Sequence, residues 1–337
     1  MNFFQILSDI EKVDPEVYER LDSRRRVFKH MTGVGQKLAA AALPMFVGSV
    51  LNKAYAQTNT GLAVQDVLNF ALKLEYLEMY FYQQRTALTG ISAVNMTALA
   101  TIAGDEAAHV AFLRTAIGGI SGAMVFADPT VAAYDFSGGK GTGTGPFGDW
   151  RTNPVTYLAL AEALEDTGVR AYKGAAPLAS IMASKTVLTA ALNIHSIEAR
   201  HASHIRAMRR AGVNSSTPSQ GVPVAPYSAA PKSWISGTDN GGPVPTYTSP
   251  VYGAGNSTGT AVYGNGTSAG VGSAVGVTFP AEDNVTQGGV ALSATTSTNF
   301  ANFPSSAFSE AFDEGLDVGT VSAIAKTFVV AGNTMFG

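Results

Sequence analysis

The chain has 337 residues, 46% of them hydrophobic and only 14% charged, with a formal net charge of −3. That length allows two average domains or one domain with extensions, and the slight acidic excess offers no basic face to nucleic acid. Cysteine is absent, which excludes disulfides and thiolate metal sites. Any metal must be held by His, Asp and Glu, a hard ligand set suited to iron or manganese.

In chain order, the first element is a leader. Ser23-Arg24-Arg25-Arg26-Val27-Phe28-Lys29 resembles the twin-arginine export signal. An uncharged apolar stretch, Leu38 to Leu51, follows it. This stretch is shorter than the roughly 20 residues a membrane-spanning helix needs. Ala54-Tyr55-Ala56 then offers a small-x-small cleavage site, as an export signal requires. Residues 1–56 are expected to be removed after passage through the twin-arginine export machinery, leaving a periplasmic or secreted protein.

Four helices are expected next. Residues 61–89 place Val64, Val67, Leu68, Ala71, Leu72, Leu74 and Leu77 at helical spacing. The second helix should start near Asn95 or Thr97 and run to Ile117, stopped by Gly118-Gly119. A third opens at Asn153-Pro154, a cap followed by Pro at the first helical position, and runs to Lys173. The fourth runs from Ser184 to Ala211-Gly212. Short links join the helices within each pair, so each pair should be antiparallel. The link between the pairs, 118–152, is long enough to need a reason. A run along the full length of the bundle supplies one. A single long crossover of this kind is the ferritin-like connectivity, so the predicted class is an all-α, ferritin-like four-helix bundle over 57–212.

Two of these helices carry Glu-x-x-His: Glu106 with His109, and Glu198 with His201. Residues at i and i+3 share a helix face, so a carboxylate and an imidazole there can grip one ion. A dinuclear bundle site also needs one Glu from each of the other two helices. Helix one offers Glu75 and Glu78; helix three offers Glu162 and Glu165. An internal repeat selects between them. Glu75 precedes Tyr82 by seven residues, and Glu165 precedes Tyr172 by seven. Glu75 and Glu165 are offset by 90 residues, and the two Glu-x-x-His motifs by 92. The expected metal ligands are therefore Glu75, Glu106, His109, Glu165, Glu198 and His201. Glu78 and Glu162 remain additional or shifting ligands. Carboxylates inside runs such as Ala71-Leu72-Lys73-Leu74-Glu75 are costly unless paired or metal-bound. Tyr82 and Tyr172 lie on the ligand stripe and could bond ligand carboxylates. Asp105-Glu106-x-x-His109 also resembles the ribonucleotide reductase small subunit. That likeness implies a hydrogen bond from His201 to Asp105. His204 could reach the rim of the site, although a surface role suits it better, and His30 belongs to the leader.

Residues 58–212 resemble the extracytoplasmic ferritin-like proteins related to plant desiccation-related proteins. The resemblance is carried by Leu68 to Glu78, by Ala163-Leu164-Glu165-Asp166-Thr167-Gly168-Val169-Arg170-Ala171-Tyr172 and by both Glu-x-x-His strings. It touches the chain end as well, from Phe312-Asp313-Glu314-Gly315-Leu316 through Phe328. It implies a ferritin-like bundle with a dinuclear site and supplies no reaction.

Residues 213–304 are rich in Gly, Ser, Thr and Pro and read as a low-complexity extension, a loop or linker. Helical character returns at 305–329, where Phe308, Phe312, Leu316, Val321, Ile324 and Phe328 share a face. The segment 305–337 should pack back on the bundle. Two function classes follow. The first is an envelope oxidoreductase with two Fe or Mn ions, a metal oxidase or catalase-like protein whose partner is a small oxidant, peroxide or oxygen. The second is a structural, desiccation-type stress protein. Homo-oligomer formation is compatible with either.

Overall fold

A computed structural model describes residues 63–213, 232, 234–255, 279–292 and 305–337. The leader expected at 1–56, with His30, lies outside these residues. The described chain is mostly helical, and none of its helices is long and apolar enough to cross a membrane.

Four long helices dominate: α1 Val64–Gln83, α2 Ala93–Gly118, α3 Pro154–Ala175 and α4 Lys185–Ala211. Their starts follow capping chemistry. Asn153 accepts from the Val155 N–H with Pro154 at the first position of α3, and Ser184 accepts from the Val187 N–H at α4. The start of α2 departs from expectation. Ser92, rather than Asn95 or Thr97, is the cap, and it accepts from the Asn95 N–H. A serine cap of this kind is worth about 1 kcal/mol over alanine. Asn95 is instead buried within the helix, donating to the Val213 carbonyl. α1 gives way at Gln84 to a 3₁₀ turn, Gln84–Ala87.

Side-chain contacts fix the helix directions. Tyr82 meets Glu165 while Tyr172 meets Glu75, so α1 and α3 run antiparallel. His195 meets Val169 while Arg209 meets Glu162, so α3 and α4 are antiparallel too. α1 and α2 pack closely across their short link. α2 and α3 therefore point the same way, and the segment between them must return along the bundle. It does so beside α1. Asn69 bonds Met124 and Phe126, Tyr80 bonds Asp128, and Phe136 packs edge-on against Phe81. From Asn69 to Phe81 is about 18 Å of helix.

α3 is buried on all sides from Thr156 to Tyr172. A helix with no solvent face must be enclosed by other elements. α4 and α1 cover two of its sides, and the C-terminal part of the chain covers the rest. Helix α5, Pro245–Tyr252, and helix α6, Val318–Lys326, pack on α3. Ile235, Val251, Tyr252 and Phe279, which the composition assigned to a linker, are buried. The fastener is Arg170 of α3. Its guanidinium donates to the carbonyls of Val251, Gly253, Pro280, Glu314 and Gly315, and it lies 2.9 Å from Glu282. Gly174 is required beside it, because a methyl group there would overlap the Leu316 carbonyl. The continuous helix expected over 305–329 is absent. A short turn, Ser305–Ser309, is followed by an extended passage that lies on α3, and Asp317 then caps α6 through the N–H groups of Gly319 and Thr320.

Candidate metal centre

The middle of the bundle holds a cluster of buried carboxylates and imidazoles. Glu75 comes from α1, Glu106 and His109 from α2, Glu165 from α3, and Glu198 and His201 from α4. All four glutamates are fully buried, and both histidines nearly so. Two sets of four donors form. Glu75, Glu106, His109 and Glu198 make one, and Glu106, Glu165, Glu198 and His201 make the other, with each set's donor atoms within 4.8 Å of one another. Glu106 and Glu198 belong to both. Donors about 2.1 Å from one ion lie up to about 4.2 Å apart, so small side-chain rotations would close either set around a metal. The structure thus gathers all six residues singled out by the repeated spacing.

The two sets mirror each other along the repeat. His109 Nδ1 lies 3.1 Å from Glu75 and 3.2 Å from Glu106. His201 Nδ1 lies 3.2 Å from Glu165 and 3.0 Å from Glu106. The Tyr82 hydroxyl donates to Glu165 at 2.5 Å, and the Tyr172 hydroxyl donates to Glu75. Each tyrosine thereby crosses to the opposite helix and fixes one carboxylate oxygen.

The mirror breaks at Asp105. His201 Nε2 lies 3.1 Å from Asp105 Oδ2, whereas the corresponding position in the second half is Ile197. A proton held between Nε2 and Asp105 leaves Nδ1 as the atom that faces the carboxylates. His195 turns away to the Val169 carbonyl.

The choice between paired glutamates is resolved by neighbours. Glu162 belongs to a cation cluster: Arg209 Nη1 is 2.5 Å from it and Arg206 Nη2 is 3.4 Å away. Arg206 also grips Asp166 with both arms. Glu78 has no such company. It is buried, and the repulsion it feels comes from Glu106, Glu165 and Glu75.

Electrostatically the cluster is overloaded with acid. Burial pushes Glu78 and Glu198 well above the usual carboxylate range, and neighbouring glutamates push them further. Glu106 rises to about 7, burial outweighing the hydrogen bonds from His109 and His201. Burial alone would lower the two imidazoles. Contact with the carboxylates wins instead, raising His109 to about 10 and His201 to about 11. Glu198 is the clearest mismatch, since neither of its oxygens has a hydrogen-bond partner. Room is even made for it: Gly168 lies inside α3, where a methyl group would overlap Glu198 Oε2. A mid-helix glycine costs about 1 kcal/mol relative to alanine, so space for that oxygen is kept at some cost to the helix. His109 Nδ1 is 3.5 Å from Glu198 Oε1, and a buried carboxylate without hydrogen bonds is unfavourable unless a cation meets it. The residues present fit a pair of divalent ions, because four ligand carboxylates neutralise two doubly charged cations.

The fold and site define a helical protein with a carboxylate–histidine cluster that could hold metal. In comparison with family models, residues 63–211 match the ferritin-like domain. The chain therefore carries a ferritin-like domain across the four long helices. No curated protein and no solved structure matched the chain.

Proposed function

We propose that the cluster holds two Fe or Mn ions, with Glu106 and Glu198 shared between them, and that the protein is an oxidoreductase acting on peroxide or dioxygen. The observation that carries this reading is Glu198, buried, without a hydrogen bond to either oxygen, and common to both donor sets. A pair of such ions supplies chemistry in which two electrons can be exchanged together. The chain supplies the rest. Tyr82 and Tyr172 hold Glu165 and Glu75 in orientation, Asp105 fixes the ring of His201, and the enclosing helices exclude bulk water. Glu78, beside the cluster without an arginine partner, is a further carboxylate that could swing in. The test is reaction of the reduced, metal-loaded protein with hydrogen peroxide, followed optically. Peroxide should decay faster than with the same amount of free metal, and the centre's absorption should change. If neither happens, the ions serve structure, and the stress-protein reading replaces this one.

Binding should depend on pH, and the sign follows from the protons to be displaced. With His109 at about 10 and His201 at about 11, both imidazoles carry a proton at pH 7 in the metal-free protein. Each donor set holds one of these imidazoles, and Glu106, at about 7, and Glu198, raised well above the usual carboxylate range, bring further protons to be displaced. Acid therefore weakens binding, and affinity for the pair of ions should rise with pH from 6 to 9 by at least about 100-fold per unit, for two or more protons released. Metal titrations at several pH values, with a dye reporting released protons, check this. Affinity independent of pH would contradict it.

We place the protein in the cell envelope, on the strength of Ser23-Arg24-Arg25 and Ala54-Tyr55-Ala56. Export in the folded state would allow iron or manganese to be inserted before the chain meets copper and zinc, which outcompete them. Changing Arg24 and Arg25 to Lys should strand the precursor in the cytoplasm. Unchanged export, or a mature chain still beginning at Met1, would overturn this assignment.

A further inference from the structure

The four glutamates of the cluster are fully buried, so an ion must cross a wall of the bundle to reach them. The walls differ. α1 packs along α2, α3 packs along α4, and the C-terminal part of the chain covers the rest of α3. α2 and α4 touch each other far less. Side-chain exposure rises towards that seam. It is nil for the glutamates, 7% for His201, 11% for His109 and 45% for Asp105. Asp105 spans this gradient. Its Oδ2 lies 3.1 Å from His201 Nε2, while His201 Nδ1 lies 3.0 Å from Glu106 and 3.2 Å from Glu165. One imidazole ring thus stands between a solvent-facing carboxylate and the buried ones. The approach from outside is open as well. Gly104, Ala107 and Ala108, close to Asp105 on α2, are exposed, and a methyl group added at Gly104 would meet nothing within 4 Å. In the second half of the repeat the matching position is Ile197, whose side chain offers no donor atom.

We propose that metal ions enter across the seam between α2 and α4, captured by Asp105 and passed by way of His201 to the glutamates. The proposal rests on the reading of the cluster as a metal centre and adds where the ions come in. A divalent ion cannot cross hydrocarbon unaccompanied, so it needs a donor at each step. Asp105 supplies the first, in contact with water. His201 supplies the next, and its ring must turn out of line as the ion passes. Glu106 and Glu165 then receive the ion. The set of Glu106, Glu165, Glu198 and His201 is reached first, and the shared Glu106 and Glu198 carry an ion on to the set that holds His109.

Asp105→Asn in the full chain tests this. The amide keeps the shape and can still accept from His201, but it carries no charge. A charge that meets the incoming ion acts on the rate of arrival and its salt dependence, whereas a group that only supports a buried ligand acts on the rate of release. Manganese(II) is added to metal-free protein, and a dye reports the free ion. Uptake by the variant should be several-fold slower. Uptake by the parent should slow between about 10 mM and about 1 M salt, as the Debye length shrinks from about 30 to about 3 Å, and the variant should respond less. Asp128→Asn removes an exposed carboxylate from the crossover beside α1 and should keep the parent's rate. An Asp105 variant that takes up manganese as fast as the parent would overturn the route, whether or not release is faster. Equal slowing by Asp128→Asn would overturn it too, as would an Asp105 variant that binds no metal at all, since Asp105 would then be a support for His201. These results leave the metal centre standing. A parent that takes up no manganese(II) or iron(II) removes the metal centre and the route together.

Discussion

Replacing Glu198 by alanine should empty the centre of both ions. Glu198 contributes to both donor sets, and in the described structure its two oxygens accept no hydrogen bond, His109 Nδ1 standing 3.5 Å from one of them. Losing it removes a ligand from each ion at once and leaves Glu106 as the only shared carboxylate. Glu106→Ala and His201→Ala should also lose metal. Glu78→Ala should have the smaller effect, because Glu78 lies outside both donor sets. Without metal the alanine variant should still fold, since it deletes a buried acid that was costly to keep there. Elemental analysis alongside helical circular dichroism separates these effects. If Glu78→Ala empties the site and Glu198→Ala does not, the shared-carboxylate arrangement is wrong.

Replacing Arg170 by methionine should produce the largest loss of stability in the molecule. Its guanidinium satisfies five backbone carbonyls from three separate stretches, and Glu282 lies against it. Removing it leaves those carbonyls and a buried acid without a partner. Breaking a buried pair in this way costs about 3–5 kcal/mol, a large share of typical total stability. The melting temperature should fall by roughly 10 °C. The segments around 251–253, 279–282 and 313–316 should become open to proteases while α1–α4 resist. Arg170→Lys should be nearly as damaging, because an ammonium has three donors and no planar fork. Unchanged melting and an unchanged digestion pattern would show that the extension is held some other way.

The two predictions also mark what the sequence did and did not reveal. The six clustered residues were legible because their information is local. Glu-x-x-His sets one helix face, and the spacing of Glu75 to Tyr82 repeats in Glu165 to Tyr172. The same stripe marked Tyr82 and Tyr172 as able to bond ligand carboxylates, while the crossing of each to the glutamate of the other helix is a product of the fold. Glu162 was harder, since its partners lie on another helix. Arg206 and Arg209, three apart on α4, were the available signal, a basic face aimed at an acid. The attachment of the extension was not legible. Arg170 binds backbone carbonyls, which every residue carries, so the 251–253 and 279–282 stretches show no side-chain pattern. The Gly- and Ser-rich sequence around them reads as linker even where the chain is held against α3. The single terminal helix was expected from a shared apolar face. Asp317 breaks it, capping α6 just after Gly315 passes close to Gly174.

The central claim is that the carboxylate–histidine cluster is a dinuclear metal site, and elemental analysis of the chain purified without chelators tests it most directly. About two iron or manganese ions per folded chain are expected, as six ligands in a ferritin-like bundle imply. Folded chain that carries none, and takes up none when either ion is supplied, would contradict it.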